Sequence, residues 1–297
     1  RGGHDHRALT WVWLILSVAA LYAAATWWGS VLLFHPPKML PNTVWPGQFG
    51  LSFEKVSFRS SDGLTLAGWL IPAKIPTARS ILMCHGWGDN KGDLLKRVHP
   101  LARDFNLFLF DFRSHGESEG KRVTLGIEET RDLVSALDFL KKTRPEWRER
   151  MGLFGLSMGA AMAVRGMAEH PDLRCAIFEA PFVSFSRVVA RFAWNNFRLP
   201  AFPFAFFAIK TIAWRVGEDP DASSPIRFAP RLPSKPTLFI AGELDRLMPP
   251  SEVRFLFEAA AGPKEYWQVP GAEHGKCWEA GGEGYQRRLK GFFDKHI

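Results

Sequence analysis

One pentapeptide limits what this chain can become more than any other segment. Gly155-Leu156-Ser157-Met158-Gly159 follows the apolar run Met151–Phe154 directly and precedes the Ala-rich stretch Ala160–Glu169. The order reads as strand, sharp turn and helix, with a serine at the apex and a glycine two residues to either side. So tight a turn strains the backbone of its central residue and lifts that hydroxyl over the end of a sheet. Glycine on both flanks lets strand and helix pass at close range. The five letters alone are a weak signal, and their force comes from the surroundings.

Those surroundings alternate. Leu51–Arg59 and Leu64–Ile71 read as two strands joined across the turn Ser60-Ser61-Asp62-Gly63. Strands then follow at Ser80–Cys84, Leu107–Asp111, Met151–Phe154, Cys175–Phe178, Thr237–Ala241 and Tyr266–Val269. Helical spacing appears between them at Leu94, Leu95, Val98 and Leu101, at Leu133, Val134, Leu137 and Leu140, over Ser251–Ala261, and at Tyr285, Leu289, Phe292 and Phe293. Short apolar strands interleaved with helices predict an α/β fold, a mostly parallel central sheet with helices on both faces.

Active sites of open α/β sheets lie beyond the carboxyl ends of the strands, and four polar features fall there. His85-Gly86-Trp87-Gly88 follows the strand ending at Cys84, and Ser157 tops its own strand. Asp245 follows Thr237–Ala241, and His274 follows Tyr266–Val269. A serine hydroxyl is a poor nucleophile at neutral pH, and an imidazole can take its proton and hand it on. Asp245 would fix the tautomer of His274 and stabilise the imidazolium. The N–H groups of Met158 and Trp87 are the expected donors to a developing oxyanion. Ser157 also suits a helix N-cap, and His274 a structural loop position. His85, His99, His115 and His170 occupy poorer addresses for a base. Glu243 and Glu179 compete with Asp245 for the acid. Asp111-Phe112-Arg113-Ser114-His115-Gly116-Glu117-Ser118 reads as an architectural turn beside the site.

The N-terminus carries the second strong signal. The 27 residues from Ala8 to Phe34 contain no formal charge. As a helix they would extend roughly 40 Å, against a hydrocarbon core of about 30 Å. Trp11, Trp13, Tyr22, Trp27 and Trp28 include rings suited to membrane interfaces, and Pro36-Pro37 would end the helix. The expected organisation is a single-pass anchor spanning about 8–34, with its linker completing residues 1–50. An α/β domain follows over 51–297, carrying an aromatic insertion over about 181–233. The rivals are a signal peptide cleaved near Ala23-Ala24-Ala25, which would leave a secreted protein, and a helix packed on protein. Arg1 and Arg7 precede the span and Lys38 follows it, so charge does not set an orientation.

Net charge is +8 and the pI about 9.6, but the basic residues are dispersed. Lys141-Lys142-Thr143-Arg144 with Arg148 and Arg150, and Arg287-Arg288-Leu289-Lys290, read as solvated helix faces. No nucleic-acid module accompanies them. Cys84, Cys175 and Cys277 lack metal-ligand spacing; the first two fit buried thiols in strands. The insertion between Pro181 and Pro233 is dense in Phe and Trp and is expected to cover the carboxyl edge of the sheet, either as a small helical layer with these rings as its own core or as an apolar lid that accepts an acyl chain or touches the bilayer. Phe182, Phe185 and Trp194 are its candidate substrate-binding residues.

Gly-Leu-Ser157-Met-Gly, His85-Gly86, Asp245, His274, the order Ser…Asp…His and the Ser114-His115-Gly116 turn together resemble the α/β-hydrolase superfamily. With the N-terminal span and Ser224-Pro225-Ile226 ahead of the acid strand, the chain looks most like membrane-anchored hydrolases related to Bem46. The resemblance implies cleavage of esters or thioesters through an acyl-serine, with no cofactor and no metal. The implied partners are a small-molecule acyl ester or thioester and membrane lipid around the N-terminal helix. A non-catalytic membrane-tethered scaffold, an acyltransferase or a peptidase on the same fold are the alternatives.

Overall fold

A computed structural model describes residues 3–35 and 43–297. The elements run α1 (Gly3–Phe34), β1 (Glu54–Arg59), β2 (Thr65–Ile71), β3 (Arg79–Cys84), α2 (Lys91–Val98), β4 (Asn106–Phe110), α3 (Glu129–Thr143), the single turn α4 (Pro145–Arg148), β5 (Arg150–Leu156) and α5 (Met158–Glu169). They continue with β6 (Leu173–Glu179), α6 (Phe185–Phe197), α7 (Phe206–Val216), β7 (Thr237–Gly242), α8 (Pro250–Ala259), β8 (Lys264–Val269) and α9 (Cys277–His296). The eight strands form one sheet in the order β1-β2-β4-β3-β5-β6-β7-β8. β1 and β2 join antiparallel and every pairing from β4 to β8 is parallel. This is the α/β-hydrolase fold that the sequence pattern anticipates.

Alternation along each strand divides the core between the two faces of the sheet. In β4, Phe108 and Phe110 pack with Leu133, Leu137 and Met162, whereas Leu107 and Leu109 join Leu94, Phe105, Leu289 and Phe293. With helices on both faces, strands need no polar side, which is why they read as continuous apolar runs. The three cysteines are buried and unpaired; burial pushes the Cys175 thiol up to about 12. The basic groups are mostly matched on the surface: Lys141 and Arg148 with Asp172, Arg144 with Glu54, and Arg288 with Glu265.

The Pro36-Pro37 stop expected for the N-terminal helix lies outside the described residues; Pro46, in the expected linker, opens a 3-10 turn over Pro46–Phe49. The C-terminal end of α1 packs against the domain. Leu33 and Phe34 are buried in the core on one face of the sheet. Its final carbonyls, which lack intrahelical donors, receive hydrogen bonds from the Trp87 indole (to Leu33 O, 3.2 Å) and from Val123 N–H (to Phe34 O, 2.7 Å). Residues 8–34 form a helix long and apolar enough to cross a membrane.

Candidate active site

β5 delivers Ser157 to the sheet edge through a turn that tolerates no extra atoms. A Cβ on Gly155 would stand 2.4 Å from the Gly159 carbonyl oxygen, and one on Gly159 would stand 2.3 Å from that of Cys84. Ser157 itself adopts φ +53°, ψ −113°, a left-handed-side conformation costly for a residue with a side chain. The adjacent strand and the following helix hold it there: Ser157 N–H donates to Glu179 O on β6 (2.8 Å), and Ala161 N–H of α5 donates to Ser157 O (3.0 Å). Ser157 sits where a helix N-cap would, yet its hydroxyl makes no capping bond.

The hydroxyl turns instead to His274. Ser157 Oγ is 3.0 Å from His274 Nε2, and His274 Nδ1 is 2.7 Å from Asp245 Oδ2. An ionised carboxylate only accepts, so Nδ1 carries the proton and Nε2 is free to accept from the serine. The other Asp245 oxygen, Oδ1, accepts from Leu247 N–H (2.8 Å) and Met248 N–H (2.7 Å), which locks the carboxylate in orientation. Both competing acids are engaged elsewhere. Glu243 Oε2 accepts from Gly271 N–H (2.8 Å), joining the loop after β7 to the one carrying His274. Glu179 is buried and accepts from Tyr285 Oη–H (2.7 Å); burial raises its carboxyl above the usual range.

The loop after β3 meets the serine from the opposite side. A Cβ on Gly86 would lie 3.4 Å from that of Ser157, so Trp87 follows at the rim of the same space. Met158 N–H, at the first helical position of α5, has no intrahelical acceptor. Two neutral histidines fix this loop. His85 Nδ1–H donates to Gly86 O (2.7 Å) and its Nε2 accepts from Phe112 N–H (3.0 Å). His115 Nδ1–H donates to Arg113 O (2.8 Å) and its Nε2 accepts from Gly88 N–H (3.1 Å). Burial depresses both imidazoles, His85 to about 4 and His115 to about 3. Beneath them Lys91 Nζ is buried between Asp111 (2.5 Å) and Glu117 (2.6 Å). That ion pair ties α2 to the turn after β4 and gives the Asp111–Ser118 segment its architectural part.

A cavity of about 230 Å³ opens in front of Ser157 and His274, walled by Leu33, Trp87, Leu125, Phe182, Val188, Phe192 and Met248 among others. Of the three aromatic residues expected to bind substrate, only Phe182 lines it. Phe185 is buried beneath, 2% exposed, and Trp194 faces solvent at 52%. The reason is helical phase. On α6 the inward stripe runs Phe185, Val188, Val189, Phe192, and Trp194 lies two residues, roughly 200°, around the helix from Phe192. Reading the period of 185–197 would have found Val188, Val189 and Phe192. No periodic signal points to Leu33, more than a hundred residues distant from the serine.

A serine on a glycine-flanked turn between strand and helix, facing a histidine and an aspartate from later loops of one mostly parallel sheet, is the arrangement of an α/β-hydrolase. The chain has the α/β-hydrolase fold and is similar to proteins of that superfamily. Residues 76–215 match the family model described as serine aminopeptidase, S33. Among relatives, YqkD of Bacillus subtilis is 29% identical over 246 residues, covering 81% of this chain and 80% of that protein. Protein bem46 of Schizosaccharomyces pombe is 24% identical over 245 residues (80% and 76%), and the α/β-hydrolase domain-containing protein WAV2 of Arabidopsis thaliana 26% over 270 (84% and 82%). The esterase Pf2001 of Pyrococcus furiosus superposes with a TM-score of 0.75 at 24% identity, covering 89% of this chain and 98% of its own. Together these similarities support a hydrolase.

Proposed function

We propose that this chain is a membrane-anchored serine hydrolase that cleaves carboxylic esters or thioesters through an acyl-Ser157 intermediate. The observation that carries the reading is the unbroken relay from Ser157 Oγ through His274 to Asp245, at 3.0 and 2.7 Å. As Oγ bonds to the substrate carbonyl carbon, its proton passes to His274 Nε2, and Asp245 stabilises the imidazolium. The carbonyl oxygen becomes an anion facing the Met158 and Trp87 N–H groups. When the tetrahedral intermediate collapses, the C–O or C–S bond breaks and the leaving group takes the proton from Nε2. Water then attacks the acyl-serine by the same relay, releasing the acid and restoring the hydroxyl. The apolar walls favour an acyl group over a peptide amine, which would call for a carboxylate among the lining residues. The likeness to an esterase points the same way, and the length of α1 supports the anchor.

A fluorophosphonate probe is expected to label the intact protein and not Ser157→Ala, with hydrolysis of nitrophenyl esters lost in the same variant. Equal labelling of the two proteins would refute the assignment.

A further inference from the structure

A second apolar cavity, about 130 Å³, lies between α1 and the segment joining β6 to β7. It shares Leu33, Val189 and Phe192 with the cavity in front of Ser157, so the two abut across those side chains. From α1 it takes Ala25, Thr26, Trp28, Gly29, Leu32 and Leu33, which is one face of a helix at spacings of three and four. Thr26, the lone hydroxyl on that face, is satisfied by Ala23 O (3.0 Å). Further toward the N-terminus the same stripe continues as Trp11, Leu14, Ile15, Val18 and Tyr22, lining an open groove with Pro203 and Phe207.

The position of this cavity relative to a bilayer follows from length. About 20 helical residues cross the hydrocarbon core, so a span beginning at Ala8 reaches the far interface near Trp27 and Trp28, and the last turn stands above it. Arg215 marks that level: it stacks on Trp27 (4.8 Å) and donates to Ser30 Oγ (2.8 Å), as a cation snorkelling to headgroups would. Phe197, in the cavity wall, and Phe202, Phe206 and Phe207, whose rings touch in turn, are exposed, apolar surface that water would not favour.

We propose that the two cavities form one acyl-binding channel entered from the bilayer between α1 and the aromatic segment. The substrate is then a long-chain acyl ester or thioester that remains dissolved in the membrane while its carbonyl reaches Ser157. The membrane helix is a wall of the binding site, and Leu33 is the residue past which the chain must slide. This inference rests on the hydrolase reading for its chemistry but not for its binding geometry.

The test uses the full chain in phospholipid nanodiscs with butyrate, octanoate and palmitate nitrophenyl thioesters. Each methylene that enters an apolar channel should raise kcat/KM by up to about fourfold. Gly29 has open space where a Cβ would stand, so Gly29→Trp should fill the outer cavity and lower the palmitate-to-butyrate ratio at least tenfold. Gly29→Leu should lower it less, and Ala20→Trp, on the opposite face of the helix and exposed, not at all. An unchanged ratio in Gly29→Trp overturns the channel while leaving the hydrolase intact. A second measurement needs no turnover: a palmitoyl thioester with a terminal diazirine is photolysed with Ser157→Ala in the same discs. Label on Val189 or Phe192 of α6 supports the channel even if no ester proves to be a substrate. Label confined to the lipid-facing side of α1 overturns it.

Discussion

The carboxyl edge of the sheet and the seam between α1 and the aromatic segment both bound the same cavity, yet they are held by different physics. At the sheet edge, backbone atoms approach so closely that glycine is obligatory, and Ser157, His274 and Asp245 are joined by directional hydrogen bonds. Along the seam, contacts are apolar and ring on ring, such as Tyr22 with Phe204 (4.8 Å) and Trp28 with Phe197 (5.8 Å). Directional bonds fix geometry to a fraction of an ångström; apolar contact fixes only volume and adapts to change. The first region suits chemistry and the second suits a ligand defined by hydrophobicity.

The largest expected effect probes the sheet edge. Asp245→Asn should lower kcat by roughly 10⁴ through the wrong imidazole tautomer, with little change in the thermal midpoint. Activity within tenfold of the parent would break the contrast. Next comes Gly159→Ala, which drives a methyl into the Cys84 backbone and should destabilise the fold by about 3 kcal/mol or more in urea titration.

Acid comes third. His85 and His115 are neutral when folded, at about 4 and about 3, against 6.5 in the unfolded chain. As pH falls below 6.5 the unfolded state binds more protons, so stability present above 6.5 is lost toward pH 4 and then 3. The loss, once both are protonated, is on the order of 3–5 kcal/mol for each histidine. Denaturant midpoints at pH 7 and 4.5 should therefore differ, and His115→Gln should flatten the slope; a flat parental profile would contradict it. Trp87→Phe keeps the ring and the backbone N–H but removes the bond to Leu33 O, at a cost of about 1 kcal/mol by thermal melting. The smallest effect is expected on the seam's outer surface. Trp214, 75% exposed, should tolerate serine within about 0.5 kcal/mol in detergent, and a larger loss would show that the seam is held more specifically than its contacts suggest.

The same division explains what could be read without coordinates. The central strands were legible because burial on both faces leaves mostly apolar residues, and the serine turn because two glycines and an exposed hydroxyl have one geometric use. Loops after strands could be assigned to one edge by topology, which brought His274 and Asp245 to Ser157. Side-chain choice within the aromatic segment was not legible from composition. Phe185 and Trp194 are as aromatic as Phe192, and only rotation about α6 separates a lining residue from a buried or exposed one. The docking of Leu33 and Phe34 left no trace either, since an all-apolar helix has no phase to betray which side meets protein. The Lys91–Asp111 pair was equally silent, because nothing local marks a lysine that will be buried.

The hydrogen bond from the Trp87 indole to Leu33 O has a practical consequence for anyone producing this enzyme. Trimming the first 35 residues for solubility would strip a donor of its acceptor beside Ser157 and remove one flank of the pocket, leaving Phe192 and Leu125 facing solvent. Substrate preferences recorded on such a shortened version would describe a differently shaped catalyst.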